Sequence, residues 1–240
     1  MPVRQSSDNC LEKKMISDLG VIIAAGGSSQ RYGEKDKLLE ELGGMPVFLH
    51  SIRNFLPEIA PGNLVVAVRA AALDEFRRLA DDFLPGNHIV WVAGGADRVS
   101  SVRNALAALP LDSGLVAVHD AARPLATAAL LKKVADRARI SGGAIAAGKV
   151  VDSLKLAGDD GFILAPVSRE KMFYAETPQI FDLKNYRTAC ENLHGAVPGD
   201  DAEIMRLAGF PVELVESGQW NLKLTAPEDL TILRQIFTGM

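Results

Sequence analysis

The stretch Leu19–Leu39, LGVIIAAGGSSQRYGEKDKLL, sets the frame for interpreting the rest of the chain. It opens with the apolar run Val21–Ala25, whose length and β-branched residues are typical of a buried strand. The run breaks into Gly26–Ser29, a loop with little side chain between its backbone amides and a ligand. Three cations follow, at Arg31, Lys35 and Lys37. Because amides can point at oxygen atoms while cations neutralise charge, the stretch predicts a polyphosphate site rather than an ordinary turn beside a basic surface.

Two commoner phosphate loops are excluded by spacing. A P-loop places its lysine directly after a glycine and before Ser or Thr, which neither Lys35 nor Lys37 satisfies. The dinucleotide pattern G-x-G-x-x-G is absent from the loop, and the next apolar run ends at Arg69 without the acid that would hold a ribose hydroxyl. The loop therefore holds phosphate by a third arrangement.

Composition sets the class of protein. The 48% hydrophobic and 23% charged residues are typical of a soluble globular protein, and the length of 240 residues fits one α/β domain. A net charge of −4 argues against nucleic-acid binding by bulk electrostatics, and no apolar run approaches the length of a membrane span. Two cysteines, one in a polar leader, make a structural disulfide improbable and favour a cytoplasmic location. We expect residues 1–18 to form a polar N-terminal extension and residues 19–240 a single domain.

Strand and helix patterns alternate along the chain. The predicted strands are Val21–Ala25, Leu64–Val68, His88–Val92, Leu115–Val118 and Gly142–Val150. The predicted helices are Pro46–Phe55, Ala71–Phe83 with its apolar face on Leu73, Phe76, Leu79 and Phe83, and a helix from Arg98 or Ser100 to Leu109. This rhythm predicts an α/β fold with a doubly wound, mostly parallel, Rossmann-like sheet and helices on both faces. Ligands in such sheets bind beyond the carboxyl ends of the strands.

Unusual residues fall at two of those strand ends. The third strand is followed by Gly94–Val102, GGADRVSSV, in which Ser100 or Ser101 could cap a helix or touch a ligand. The fourth strand is followed by His119–Pro124, HDAARP, where an acid and an arginine could form a salt bridge or serve a site. The position at a strand end favours the site, and His119 is interpreted as structural.

A hairpin is predicted after the fifth strand. Two short strands flank the turn Gly158–Gly161, and the second runs over Phe162–Val167. Its apolar residues need burial that a lone hairpin cannot supply. We therefore expect a projecting β-arm at about residues 151–178.

These motifs together resemble the 2-C-methyl-D-erythritol 4-phosphate cytidylyltransferase family. The signature A-[AG]-G-x-G-x-R-[MY]-G followed by a lysine appears as AGGSSQRYG and Lys37, and HDAARP matches without a change. Further matches are an arginine followed by TPQIF and, near the end, NLKLTAPEDL, so the resemblance covers nearly the whole chain from Leu19. Departures stand at Ser29, Ala96, Ser153 and Gly199.

The resemblance implies a role for each matching position. It implies catalytic cations at Arg31, Lys37 and Lys223. It implies nucleotide contacts at Ala25, Gly26, Gly27, Ser29, Gly95, Ala96, Ser101 and Ala121. It implies contacts with the acceptor substrate at Asp120, Arg123, Ser153, Arg169 and Thr177, with Arg169 and Thr177 acting across a dimer interface formed by the β-arm. It also implies Mg²⁺ held mainly by the phosphates of CTP, with no dedicated protein metal site.

The implied reaction joins CTP and a polyol phosphate to give a CDP-polyol and pyrophosphate. Three alternatives stay open. The related ribitol 5-phosphate enzymes share the chemistry, although their segment often reads H-D-A-V-R-P, so Ala122 favours methylerythritol phosphate. A sugar-phosphate nucleotidyltransferase with another base, or a non-catalytic nucleotide-binding protein of the same fold, would also fit the loop.

Overall fold

The computed structural model of the chain describes residues 15–27, 32, 36–193 and 198–239. Ser29 and Arg31, two of the positions expected to meet the nucleotide, lie outside these residues. The end of the predicted polar extension packs on the domain: Ile16 forms a β-bridge with Ile59, and Asp18 pairs with Arg139 at 2.6 Å. The described part of the extension is therefore anchored to the domain from Ile16 onward.

Regular structure alternates between strands and helices. The strands are β1 (Leu19–Ala25), β2 (Glu41–Leu42), β3 (Met45–Pro46), β4 (Leu64–Val68), β5 (Val90–Ala93), β6 (Leu115–Asp120), β7 (Gly143–Lys149), β8 (Leu154–Ala157), β9 (Ile163–Val167), β10 (Phe173–Asp182) and β11 (Glu213–Glu216). The helices are α1 (Val47–Phe55), α2 (Leu73–Phe83), α3 (Arg98–Ala108), α4 (Ala128–Ser141), α5 (Leu183–Glu191), α6 (Asp201–Leu207) and α7 (Pro227–Thr238).

A seven-stranded sheet forms the centre of the described chain, in the order β11-β7-β10-β6-β1-β4-β5. The pairs β1–β6, β1–β4, β4–β5 and β7–β11 are parallel, whereas β10 runs antiparallel to both β6 and β7. The prediction of a mostly parallel sheet is confirmed. Because β1, β5 and β6 run in the same direction, their carboxyl ends meet at one edge.

Helices cover both faces of the sheet, as predicted. One face packs on apolar residues of α1, α4 and α7, and the largest buried side chains there include Phe48 and Phe55. The other face packs on α3, α5 and α6 around Phe181 and Tyr186, whose rings stack with centroids 5.2 Å apart. Strands buried on both faces explain why β1 and β4 read as continuous apolar runs rather than alternating ones.

The predicted hairpin is present as β8 and β9, which pair antiparallel in a two-stranded sheet of their own. Its turn leaves three large apolar side chains in solvent: Phe162 is 74% exposed, Ile163 65% and Leu164 66%. The pairing predicted from sequence is thus confirmed, while a projecting arm that reaches a second chain stays a prediction.

Some sequence-based bounds were wrong. The third strand begins at Val90 instead of His88, and the strand predicted to end at Val118 continues to Asp120. On α2 the predicted face residues Phe76 and Leu79 pack on the core beside the buried Ala80, whereas Phe83 is 43% exposed rather than buried. The ten-residue strand β10 was not predicted at all.

Candidate active site

A cleft of about 330 Å³ lies at the edge where β1, β5 and β6 end. Eight of the predicted site residues line it: Gly26, Gly27, Lys37, Gly95, Ala96, Ser101, Asp120 and Lys223. They come from four separate parts of the sequence, and the sheet brings them together because the parallel strands share a direction. The remaining lining residues are Ala24, Leu38, Asp97, Arg98 and Ala122.

Ser101 joins the two glycine segments of the cleft. Its hydroxyl donates to the Asp97 carbonyl oxygen at 2.7 Å and accepts from the Gly95 amide at 3.0 Å. A Cβ at Gly26 would lie 3.2 Å from the Ser101 oxygen, and one at Gly94 would lie 2.9 Å away. A side chain at Gly94 would therefore force the serine to shift, and one at Gly26 would press tightly against it. The N-terminus of α3 is closed by a capping box: Asp97 is the N-cap and accepts from the Ser100 amide at 2.7 Å, while the Ser100 hydroxyl accepts from the Asp97 amide at 3.0 Å. The capping role considered for Ser100 is therefore confirmed as one half of this box.

Asp120 stands between two cations at the end of β6. Its Oδ2 lies 2.6 Å from Lys223 Nζ, and its Oδ1 lies 3.6 Å from Arg98 Nε. Burial alone would raise the pKa of this carboxyl, but Lys223 and then Arg98 hold the pKa well below its usual range. Asp120 is consequently ionised at all ordinary pH values. The salt bridge with Arg123 considered from sequence is not the one that forms at its carboxylate.

Lys37 enters the cleft from a short 3₁₀ turn, Lys37–Leu39, capped by the Asp36 side chain. Its Nζ donates to the Leu224 carbonyl oxygen at 2.8 Å. The Leu224 amide in turn donates to the Ala122 carbonyl oxygen at 2.8 Å, which attaches the Lys223 segment to the end of β6. Two lysines from opposite ends of the chain thus line the same cleft.

A buried polar layer lies beneath the cleft. The Thr177 hydroxyl accepts from the Asp120 amide at 3.0 Å and lies 3.1 Å from His119 Nδ1. His119 is fully buried against the ring of Phe55, and burial lowers its pKa to about 4, so its imidazole is neutral at pH 7. Arg123 is only 9% exposed, donates to the Asn221 carbonyl oxygen at 2.6 Å, and has its pKa lowered by burial. These side chains lie beneath the residues that line the cleft and support them from below.

Residues 19–238 match the family model IspD, 2-C-methyl-D-erythritol 4-phosphate cytidylyltransferase. The chain belongs to this family. A curated relative from Pelotomaculum thermopropionicum, named 2-C-methyl-D-erythritol 4-phosphate cytidylyltransferase, is 35% identical over 224 residues, which are 91% of this chain and 93% of the relative. A second, from Desulforamulus reducens with the same name, is 35% identical over 226 residues, with coverage of 91% and 94%.

Solved structures agree with this membership. The 2-C-methyl-D-erythritol 4-phosphate cytidylyltransferase from Thermus thermophilus superposes with a TM-score of 0.77 at 29% identity, covering 92% of this chain and 99% of that one. The 4-diphosphocytidyl-2C-methyl-D-erythritol synthase from Anaerococcus prevotii superposes with a TM-score of 0.79 at 25% identity, covering 95% and 100%. The likeness therefore extends over nearly the whole fold.

Other positions carried over from the cytidylyltransferase family lie away from the cleft lining. Ala25 and Ala121 are buried at 2% and 0% exposure, so only their backbone could meet a ligand. Ser153 and Arg169 are exposed at the base of the hairpin, where the Arg169 guanidinium donates to the Val151 carbonyl oxygen. Thr177 and Arg123 belong to the buried layer described above. Nucleotide contacts at Ala25 and Ala121 stay predictions, as do acceptor contacts at Arg123, Ser153, Arg169 and Thr177.

Sequence reasoning missed Arg98 as a site residue. Its guanidinium is 32% exposed on the cleft wall and donates to Asp201 Oδ2 at 2.6 Å, while its Nε faces Asp120. Burial works against the charge, but Asp201 and Asp120 together raise the pKa of Arg98 above its ordinary value. The arginine does stand in the matched segment GGADRVSSV, which was the one available signal.

The described residues contain no group of three or more His, Cys, Asp or Glu side chains that could hold a metal ion. Two carboxylates line the cleft, Asp97 and Asp120, and the first is already used as the cap of α3. Mg²⁺ commonly binds one or two carboxylates together with substrate phosphates, and Asp120 fits that role. None of the described helices is long and apolar enough to cross a membrane.

Proposed function

We propose that the chain transfers the cytidylyl group of CTP to 2-C-methyl-D-erythritol 4-phosphate, forming 4-diphosphocytidyl-2-C-methyl-D-erythritol and pyrophosphate for non-mevalonate isoprenoid synthesis. The observation that carries this function is the family match over residues 19–238. The cleft of the chain supports it, because two lysines and an ionised aspartate line it. The small residues Gly26, Gly27 and Gly95 leave room for a nucleotide to approach the backbone.

The chemistry suits this cleft because no general base is needed. A phosphate monoester oxygen of the acceptor is already a competent nucleophile toward the α-phosphorus of CTP, and pyrophosphate leaves from the opposite side. Catalysis then depends on alignment and on neutralising negative charge as it develops. We assign the neutralisation of this negative charge to Lys37 and Lys223, with Arg31 as a third cation. The buried, neutral His119 takes no part in proton transfer.

We further propose that Mg²⁺ is required. It would supply positive charge to the triphosphate oxygens, and Asp120 would be the residue that holds it on the protein side. Lys223 and Arg98 hold that carboxylate ionised, so a bound cation would not need to displace a proton.

A homodimer is proposed on the exposed apolar turn of the hairpin. Leaving Phe162, Ile163 and Leu164 in solvent is costly, and a second copy of the hairpin would bury them. The dimer would also bring Arg169 and Ser153 of one chain toward the acceptor side of the other cleft. A cytoplasmic location is proposed from the scarcity of cysteines, of which Cys190 is buried and free.

The direct experiment measures pyrophosphate release from CTP by the full chain, with 2-C-methyl-D-erythritol 4-phosphate or ribitol 5-phosphate as acceptor. We expect release with the first acceptor and Mg²⁺, and its loss when EDTA removes the metal. Release with ribitol 5-phosphate alone would keep the mechanism and change the pathway. Parallel assays with ATP, GTP and UTP would show whether the protein prefers a nucleotide with another base. If the folded protein released no pyrophosphate with any combination of nucleotide and acceptor, it would be a nucleotide-binding protein without this activity.

A further inference from the structure

Asp201 is a fully buried carboxylate with two strong partners. Its Oδ1 accepts from the Tyr186 hydroxyl at 2.5 Å, and its Oδ2 accepts from the Arg98 guanidinium at 2.6 Å. Tyr186 is itself fully buried and stacked on Phe181, so its hydroxyl is fixed in place. A charged group without access to water is retained only where its partners are well placed.

The helix that carries Asp201 is fixed to the central sheet. Gln179 of β10 donates to Asp200 Oδ2 at 3.1 Å and accepts from the Ala202 amide at 2.9 Å. Asp200 also accepts from the Glu203 amide at 2.9 Å and caps α6. The first turn of α6 is therefore held on both sides of Asp201, which limits the positions that its carboxylate can adopt.

Arg98 connects this buried carboxylate to the cleft. One guanidinium nitrogen, Nη2, is taken by Asp201, and Nε is left facing Asp120 Oδ1 at 3.6 Å. The other oxygen of Asp120 holds Lys223 at 2.6 Å. A planar guanidinium can serve two carboxylates at once, whereas the single ammonium of lysine acts as a point charge.

We propose that Asp201, held by the Tyr186 hydroxyl, is a positioning residue that keeps the Arg98 guanidinium on the cleft wall and so preserves the Asp120–Lys223 pair. Without Asp201, Arg98 would turn fully onto Asp120 and compete with Lys223 for it. Lys223 and Asp120 would then lose the arrangement that meets the phosphates. This inference rests on the proposed cytidylyl transfer for its kinetic readout.

The kinetic test compares Asp201→Asn, Arg98→Lys and the double variant in pyrophosphate release. We expect kcat to fall about 10- to 100-fold in Asp201→Asn, by analogy with the loss seen when a partner that orients a metal ligand is removed. The KM for CTP should not rise, since losing an acid makes the cleft more positive. If Asp201 acts through Arg98, the double variant should be no slower than the slower single variant. Losses that multiply, or a raised KM with kcat intact, would overturn the proposal.

Tyr186→Phe and Thr127→Ala complete the set. Tyr186→Phe keeps the stacked ring and removes only the hydroxyl, so it should lower kcat in the same direction by a smaller factor. It also replaces Asp201→Asn as the test variant if Asp201→Asn does not fold. Thr127→Ala removes the side-chain cap of α4, which lies outside the cleft lining and outside the Asp201 network, so the melting temperature should fall while kcat stays. A fall of kcat in Thr127→Ala in proportion to its loss of stability would show that kcat follows stability alone, and would overturn the specific role of Asp201.

A readout independent of turnover is the Arg98 Nη2–H signal in ¹⁵N-arginine-labelled protein, assigned by its absence in Arg98→Lys. We expect slow solvent exchange of the Nη2 protons in the wild type, because Asp201 Oδ2 accepts from Nη2 at 2.6 Å. Exchange should be at least tenfold faster in Asp201→Asn and faster, by a smaller factor, in Tyr186→Phe. If the wild type releases no pyrophosphate, the proposed function fails, and this signal alone decides the positioning role. Unchanged exchange in both variants would reject it.

Discussion

Lys37 and Lys223 illustrate how the cleft holds its charged groups ready. Each ammonium rests on an oxygen of the protein, the Leu224 carbonyl for Lys37 and the Asp120 carboxylate for Lys223. These contacts keep both side chains ordered before a substrate arrives, which reduces the entropy lost when phosphate binds. Charged groups that are already oriented stabilise the transition state more effectively than groups that must first reorient around the substrate.

We expect Lys37→Ala to lower kcat by about 10²–10³, the usual loss when one group that stabilises developing charge is removed. Pyrophosphate release at saturating CTP and acceptor measures it. Lys184→Ala is the matched control, because Lys184 is exposed on α5, outside the cleft lining. Turnover of Lys37→Ala within twofold of the control would remove Lys37 from the mechanism.

His119 should make stability depend on pH. Burial lowers its pKa from 6.5 to about 4, so between these values the unfolded chain binds a proton that the folded chain does not. The contribution of His119 to the free energy of unfolding is therefore fully present above pH 6.5 and is lost as the pH falls toward 4. The loss reaches up to about 3 kcal/mol, at 1.36 kcal/mol per pKa unit. Urea unfolding at pH 7, 5.5 and 4.5 measures the slope.

In His119→Gln the slope between pH 7 and 4.5 should flatten. His88→Gln is the control, because His88 is exposed. Equal slopes in the wild type and in His119→Gln would show that the imidazole is not kept neutral by burial.

Single residues also mark the limit of sequence reasoning. Asp120 could be predicted because it sits in a motif at a strand end, Lys37 because it follows the glycine-loop signature, and Lys223 because it sits in the matched segment NLKLTAPEDL. Arg98 stood in such a motif as well, but its meaning depends on Asp201, which is 103 positions away. Local pattern carries no information about a partner at that distance, so its role emerged only from the folded chain.

Among the elements, the hairpin β8–β9 has the least support from the rest of the described chain. A two-stranded sheet is marginal in water unless it packs on something else. The apolar side chains at its turn are the most exposed large hydrophobic groups on that element. A second copy of the hairpin is the simplest cover, which makes its assembly testable without any substrate.

We expect the double variant Phe162→Ser, Leu164→Ser to shift the protein from dimer to monomer in sedimentation equilibrium. The reason is the loss of apolar area, which contributes about 25 cal/mol for each Å² buried. Lys155→Ser on the neighbouring strand is the control, since it removes an exposed charge and leaves the apolar turn intact. A monomeric wild type, or an unchanged mass in the double variant, would contradict assembly through the hairpin.

Strand β10 shows why some elements escape prediction. Its middle contains Glu176 and Pro178, which argue against a central strand in sequence. The structure places a register shift between Ala175 and Gln179, where the proline is accommodated because the pairing with β7 is interrupted. By contrast β1, β4 and β7 were predictable, because strands buried on both faces read as uninterrupted apolar runs.

Taken as a whole, the molecule carries a net charge of −4 while its cleft presents lysines to a polyanion. Attraction of CTP is thus a local effect that acts against the overall charge. Added salt screens such interactions, since the Debye length falls from about 10 Å at 0.1 M to about 3 Å at 1 M. Binding of the uncharged base and ribose should not depend on the salt concentration.

We expect CTP at a hundredfold excess over its Kd to stabilise the fold by about 2.7 kcal/mol, which raises the Tm by roughly 5–10 °C for a chain of this size. Differential scanning fluorimetry measures the shift. The shift should shrink as NaCl rises from 0.05 to 0.5 M at fixed CTP. Cytidine is the uncharged control, and a CTP shift as insensitive to salt as that of cytidine would show that the phosphates do not bind to the cations.

The antiparallel course of β10 has a consequence for how assembly and chemistry relate. The strand begins beside the hairpin, and at its middle Thr177 accepts a hydrogen bond from the Asp120 amide. One continuous piece of backbone therefore runs from the exposed apolar turn to the floor of the cleft. A partner chain bound to the hairpin, as proposed, would therefore contact an element that continues into the strand supporting the Asp120 backbone, so assembly would be coupled to the position of this carboxylate.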